Sequence, residues 1–265
     1  VEYEKLSDHI GSFPSVVISP YDIELILEGS ETRRKLMDYI ISQYNKKYLE
    51  ALIKYKKILV QRNSLLKKFA EQRLFETESI EIWDLQLIPL GEFIFEERKK
   101  FLDDFIVKFK SVYQEIAGSD EEISLSYKSD MYDGDYATIL KNAYQKDQYK
   151  QHTAKGIHRD DLIFKIHNQP IKRFGSQGQQ KTFLIALKLS KFDYLKDILG
   201  VKPFLLLDDV FDKLDEERVA HLMKLVSENS FGQVFITDTE KSRVETAFKK
   251  WDIKIEFKEI GNEKT

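Results

Sequence analysis

The chain has 265 residues, 42% apolar and 33% charged, with a net charge of −3 and no cysteine. That composition supports a folded core rather than a disordered chain, and the missing thiols exclude disulfides, cysteine-ligated zinc, iron–sulfur clusters and a thiol nucleophile. Apolar runs reach only about five residues against the ~20 a membrane span needs, no secretory signal pattern is present, and any nucleic-acid contact must come from a local basic surface.

The chain opens on Val1 and a polar, half-formed segment, so it reads as a piece of something longer. Length alone allows one or two domains. In residues 1–30, Pro14 and Pro20 bracket Ser15-Val16-Val17-Ile18-Ser19. This β-branched run predicts a strand, and Ser19-Pro20-Tyr21-Asp22 predicts a turn or the start of a helix.

Residues 31–117 hold one proline and one glycine, Pro89 and Gly91. Apolar residues recur at Tyr48, Leu52, Tyr55, Leu59, Leu66 and Phe69, a helical stripe with a gap across Arg62. A second stripe runs through Trp83, Leu87, Leu90, Ile94, Phe101 and Phe105, and Glu76-Thr77-Glu78-Ser79 breaks the pattern between them. Two long helices folded back on each other would bury both stripes. A plain bundle core accounts for them, and an arm for partners or DNA is compatible with it.

Residues 118–265 alternate strand-like and helix-like segments. Strands are expected at 123–127, 162–166, 203–207, 233–237 and 253–260, and helices at 183–198, 216–226 and 241–249. That order argues an α/β layer architecture.

The strongest chemical signal is Phe204-Leu205-Leu206-Leu207-Asp208-Asp209. An apolar strand ending in carboxylates places charge at the edge where α/β sheets bind ligands. There the first acid can hold Mg²⁺ and the second can orient or deprotonate an attacking water. A helix cap plus a solvent-facing acid fits the same residues. Asp215, just before a helix, suits an N-cap. Gly175-Ser176-Gln177-Gly178-Gln179-Gln180-Lys181 opens a helix. Small residues admit a phosphate to the backbone, and the free N–H groups of a helix start attract anions. Gly156-Ile157-His158-Arg159-Asp160-Asp161 reads either as a polar network near a site or as a charged turn before a strand.

These segments together resemble a known family. "GSQGQQKTFLIALKLS" is similar to the signature loop of SMC-like ABC ATPases, and "FLLLDDVFDKLDEER" to their Walker B strand and D-loop. "GIHRDDLIF", "ISPYDIELILEGSETRRKLMDYIISQY", "LVQRNSLLK" and "IWDLQLIPLG" resemble RecF, the bacterial recombination-mediator family, from about residue 4 to residue 260. The resemblance implies an ABC-ATPase-like α/β head, residues 1–30 and 118–265, with an inserted antiparallel α-helical arm, residues 31–117. It implies an ATP-dependent clamp that dimerises around ATP and binds single-stranded or gapped DNA in recombinational repair and replication restart. Cytoplasmic, nucleoid-associated placement and partners such as RecR and RecO come with it.

Carried over by position, Asp208 would serve Mg²⁺ and Asp209 would stand in for the catalytic carboxylate, where many ABC ATPases have Glu. Ser176, Gly178 and Gln179 would meet the γ-phosphate of a partner subunit's ATP, and Asp215 would lie at the dimer seam. The usual switch histidine is absent, and Asp238 stands about where it is expected. No G-x-x-x-x-G-K-[ST] loop occurs in the sequence. The expectation is therefore that roughly 90–100 residues carrying it lie upstream, and that this chain alone is inactive while the complete protein is a weak DNA-stimulated ATPase. Local basic clusters, Arg33-Arg34-Lys35, Lys46-Lys47, Lys54-Lys56-Lys57 and Lys67-Lys68, could neutralise phosphates. Two other classes remain at this stage. One is a metal-dependent phosphoryl-transfer enzyme using Asp160, Asp161, Asp208 and Asp209, and the other is a nucleotide-independent DNA-binding scaffold.

Overall fold

Both apolar stripes lie on long helices, and each is interrupted by a buried arginine. The computed structural model describes residues 13–73, 76–118, 121–211, 216–227, 231–249 and 255–258. After strand β1 (Ser15–Ile18), a 3₁₀ turn (Pro20–Ile23) and the short α1 (Glu24–Leu27), α2 (Ser30–Tyr44) leads into the arm. The arm is α3 (Lys46–Gln72) and α4 (Thr77–Ala117). The Asn45 side chain caps α3 by accepting the Tyr48 N–H at 3.0 Å. A helix of 41 residues spans about 60 Å at the α-helical rise. Pro89 sits inside α4 and cannot donate to the carbonyl of Leu85. Leu85 is exposed, so water can take the orphaned acceptor. Gly91 leaves room for the Tyr136 ring, which a β-carbon would overlap.

Tyr48, Leu52, Tyr55, Leu66 and Phe69 of the first stripe are buried, as are Leu87, Ile94, Phe101 and Phe105 of the second. Arg62 and Arg98 fill the gaps in the two stripes and are almost completely buried as well. Arg62 on α3 donates to Asp84 of α4 at 2.6 Å, and to Asp147 and Thr153 at 2.7 and 2.9 Å. Asp147 belongs to α5 (Tyr136–Lys150), a helix the sequence pattern did not disclose. Burial opposes the Arg62 charge, but Asp84 and Asp147 more than offset it and its pKa stands above the ordinary value. Arg98 on α4 donates to Asp38 of α2 at 2.9 Å, to Asp160 at 2.9 Å and to the Ile157 carbonyl at 2.8 Å.

Two small sheets flank the root of the arm. One is parallel, in the order β1, β5 (Phe204–Asp208), β6 (Val234–Thr237). The other is antiparallel and pairs β2 (Ile123–Lys128) with β3 (Asp161–Ile166) and the short β4 (Gln169–Pro170). The short α6 (Ile171–Phe174) precedes α7 (Gln177–Leu199), which buries residues on every side, including Phe183, Leu187, Phe192 and Leu195. Such a helix belongs inside a core, and α7 runs between α4, α2 and the parallel sheet. Helices α8 (Glu216–Ser227) and α9 (Lys241–Phe248) follow β5 and β6. One continuous core joins the arm's root to both sheets, while Leu66, Phe69 and Ile80 form a separate cluster nearer the arm's tip.

The strand expected at 253–260 is not borne out where it is described. Residues 255–258 are in no strand, and their side chains are exposed despite the alternating pattern. No described helix is long and apolar enough to cross a membrane.

The paired acids give a stability prediction. Arg62→Met leaves Asp84 and Asp147 buried without a counter-charge and should lower stability by about 3–5 kcal/mol. Adding Asp84→Asn and Asp147→Asn should recover part of that loss, read by urea unfolding. His158 gives a pH prediction. Its ring nitrogens meet the Tyr55 hydroxyl and the Thr153 carbonyl, both at 2.9 Å. Burial pushes its pKa down from 6.5 to about 4. The unfolded chain therefore takes up a proton below pH 6.5 that the folded chain refuses. Stability should fall as pH drops from about 6.5 to about 4, by about 1–3 kcal/mol in total, and His158→Gln should flatten that slope.

Candidate nucleotide site

Strand β5 is the middle strand of the parallel sheet, so its C-terminal end lies at the centre of the sheet edge. Asp208 pairs with Thr237 across to β6, and the Thr237 hydroxyl donates to Asp208 Oδ1 at 2.5 Å. Asp209 has a left-handed backbone, φ 48°. Two contacts fix it there. Its N–H donates to the Thr237 carbonyl at 3.1 Å, and its own carbonyl accepts from Lys181 Nζ at 3.3 Å. Lys181 stands in the first turns of α7, so the sheet edge and the start of α7 are joined directly.

At that start, Ser176 is the N-cap of α7. Its hydroxyl accepts the Gln179 N–H at 3.2 Å, and the Gln179 side chain accepts the Ser176 N–H at 2.9 Å. This is a complete capping box. The Ser176 hydroxyl uses a lone pair in the cap and keeps its own proton. The N–H groups of Gln177 and Gly178 belong to the first helical turn, where no intrahelical acceptor exists. Ser176 and Gln177 are exposed. The arrangement presents a hydroxyl proton, two amide protons and a helix dipole to one place, which suits an anion.

The Gln179 side chain holds Ser176 in place. Besides closing the box, its amide donates to Glu121 at 3.2 Å. Arg218 of α8 donates to the same carboxylate at 3.2 Å and to Thr182 of α7 at 3.1 Å, and the Tyr113 hydroxyl of α4 also bonds it. The sequence reading missed Glu121, which carries no motif and stands in a link between elements.

Asp238 follows β6 and is turned inward. Its carboxylate accepts the Glu240 N–H at 2.8 Å, an Asx-type turn, and lies 3.5 Å from Arg243 Nη1. Both carboxylate oxygens of Asp238 act as acceptors here, where a histidine could donate. The donor at this edge is Arg243, half-exposed, 3.9 Å from Asp209 and 3.5 Å from Glu240. Asp215, expected at the seam, lies outside the described residues.

Asp160 and Asp161 do not join Asp208 and Asp209. Arg98 holds Asp160, and Arg33 grips Asp161 with two bonds of 2.7 and 3.0 Å. The GIHRDD segment is therefore a structural junction, and the phosphoryl-transfer reading loses half of its acids.

No protein-family model matches the chain. Curated relatives do. The chain is 52% identical over 247 residues to the DNA replication and repair protein RecF of Flavobacterium johnsoniae, covering 93% of this chain and 69% of that one. It is 48% identical over 250 residues to that of Phocaeicola vulgatus, covering 94% and 67%. The chain belongs to the RecF family.

It spans about two thirds of the length of these relatives. Solved structures of the recombination mediator protein RecF in the RecFOR pathway agree. The ATPrS form has a TM-score of 0.79 at 30% identity, over 90% of this chain and 66% of that one. The ATP form has a TM-score of 0.76 at 32% identity, over 88% and 64%. The fold is accordingly an ABC-ATPase-like α/β head carrying an antiparallel helical arm. The Ser176 cap is open to direct test. Ser176→Ala should cost about 1 kcal/mol of stability in urea unfolding, and Ser176→Asp, which caps as well, should cost little.

Proposed function

We propose that this chain forms the greater part of an ATP-dependent DNA-binding protein of recombinational repair and replication restart. Two copies close around ATP, and the closed dimer holds single-stranded or gapped DNA. The observation that carries this reading is the exposed N-terminus of α7. There the Ser176 hydroxyl is fixed by its cap, with its proton and the N–H groups of Gln177 and Gly178 available to a phosphate.

The residues also suit the groups that the reading requires. Asp208 engages Thr237 through one carboxylate oxygen, and its other oxygen is a hard donor of the type Mg²⁺ accepts. When bound, Mg²⁺ would neutralise phosphate charge. Asp209 orients or accepts a proton from the attacking water. Ser176, Gly178 and Gln179 meet the γ-phosphate of the partner's nucleotide, and Gln179 also holds Ser176 in place. Asp238 stands at the switch position, and Arg243, which it binds, is the cation that can meet the phosphate there. Asp215 is assigned to the dimer seam. The sequence holds no G-x-x-x-x-G-K-[ST] loop, so this chain alone should bind ATP weakly and not turn it over. RecR and RecO are the expected partners, and the cytoplasmic nucleoid the expected location.

Ser176→Asp separates this reading from a scaffold that ignores nucleotide. The variant keeps the helix cap but sets a negative charge against the phosphate. In the full-length protein it should fold normally and fail to dimerise with ATP in sedimentation velocity. Ser176→Arg should fail the same way through bulk. ATP-dependent dimerisation that survives both changes would refute the sandwich. DNA binding that is equally strong without ATP, and unchanged by Ser176→Asp and Asp209→Asn, would favour the scaffold.

A further inference from the structure

A cleft of about 690 Å³ opens between β1, α2, α3 and α7. Its volume falls in the ~300–1,000 Å³ range of small-ligand sites. Lys191 of α7 forms part of its wall and is only 5% exposed. The Lys191 ammonium donates to the Ser15 carbonyl at 3.3 Å and sits 4.4 Å from the centre of the Tyr39 ring. Lys188, one turn earlier, covers the next outward carbonyl of β1, that of Val17, at 3.1 Å. The two lysines differ in one respect. Lys188 has a counter-ion, Asp22, at 2.5 Å. Asp22 is the carboxylate that acts on Lys191 too, and it is already taken. Burial, with the repulsion of Lys188, holds Lys191 down at about pKa 7.

A buried amine at a cavity wall without its own carboxylate is held partly neutral, and an arriving anion would favour its protonated form. Lys35 and Lys56 line the same cleft from α2 and α3, as do the acids Asp22, Glu24 and Asp38; Lys188 pairs with Asp22, Arg98 with Asp38, and Lys35 with Glu31. Tyr21, also in the lining, is 77% exposed, and Tyr39 is 51% exposed. Cations alternating with open aromatic rings are the means by which proteins hold single strands, lysines on the backbone and rings under bases.

We propose that this cleft binds a nucleotide unit of single-stranded DNA, with the phosphate at Lys191 and Lys56 and a base stacked on Tyr21. The inference rests on the DNA-binding reading above and adds the surface that performs it. The site lies along the sheet's β1 edge, whereas the candidate ATP groups lie at the C-terminal end of β5 and the start of α7. Its loss should therefore leave ATP-dependent dimerisation intact.

The test uses the full-length, ATP-loaded protein, fluorescein-labelled oligo(dT) read by anisotropy, and dTMP and inorganic phosphate as competitors. Lys191→Met keeps the packing and removes the charge. It should weaken oligo(dT) binding about tenfold, as a charge-assisted contact does, and lower the salt slope by about one phosphate contact. Lys56→Gln, on an exposed residue that cannot compromise folding, should lower the slope likewise, and Tyr21→Ala should weaken binding without changing it. Wild-type affinity and slope in Lys191→Met and Lys56→Gln would overturn the cleft while leaving DNA binding standing. A wild-type protein that does not bind oligo(dT) would overturn the DNA-binding reading itself. Displacement of oligo(dT) by dTMP or phosphate at comparable affinity would make the occupant a free anion and overturn the strand assignment.

Discussion

Arg98 is the contact on which the rest of the molecule is hung. It sits in the middle of the 41-residue α4, on a buried face that is apolar apart from it and Asp84, and it meets acids from two other parts of the chain. Asp38 brings α2 to it, and Asp160 brings the turn before β3. Burial works against its charge, and Tyr48, Asp38 and Asp160 outweigh that, so its pKa stands well above the ordinary value. A buried ion pair often adds little net stability. Here its use is register. Two near-heptad stripes could slide past each other by a heptad and still bury apolar area. Arg62 and Arg98 allow one alignment, because in any other their acids would be stranded.

That alignment reaches the candidate nucleotide site through one helix. Helix α4 carries Arg98 in the arm's root and ends at Gly118, whose φ of 62° turns the chain. Three residues on, Glu121 collects bonds from Tyr113 of α4, Gln179 of α7 and Arg218 of α8. Gln179 is also the residue that holds Ser176 in its cap. A displacement of α4 would therefore be felt at the Ser176 cap and at α8 through a single carboxylate. Such a link has discrete partners rather than a diffuse surface, so any coupling between arm and head would have a definite physical route here.

Much of this was legible in the sequence, for reasons that also explain the gaps. The apolar stripes, the β5 run and the capping residues are local patterns, and each element they predict is present within a few residues. The arginines in the stripes showed only as interruptions, because a charge at a core position has meaning only once its acids are placed. Asp84, Asp147 and Asp160 come from three distant segments. Helix α5 was missed because its apolar positions are few and its polar Asp147 is among the buried ones. Within 255–258, the described part of the expected strand at 253–260, alternation was not enough, because it describes one face of a strand and does not supply a paired neighbour. At the candidate site, Ser176, Asp208 and Asp209 were read correctly as residues at a helix start and a strand end. Gln179 and Asp238 carry ligand roles by resemblance alone, and what the structure adds is their bonds to the backbone and to Glu121 or Arg243.

The aspartate at position 209 follows from the backbone as much as from chemistry. The chain leaves β5 through a left-handed residue that is not glycine, held by Thr237 on one side and Lys181 on the other. Asp tolerates that region better than most side chains. A longer glutamate would gain reach toward a phosphate-bound water but loses this local tolerance. The tight turn and the short side chain are thus one choice. In the proposed role of general base, Asp209 would work at a greater distance, with water between, and slow turnover would follow from how β5 ends. In a dimer closed around ATP, as proposed above, a slow hydrolytic step would prolong the closed state, which would tie the lifetime of that state to the same turn that shapes the sheet edge.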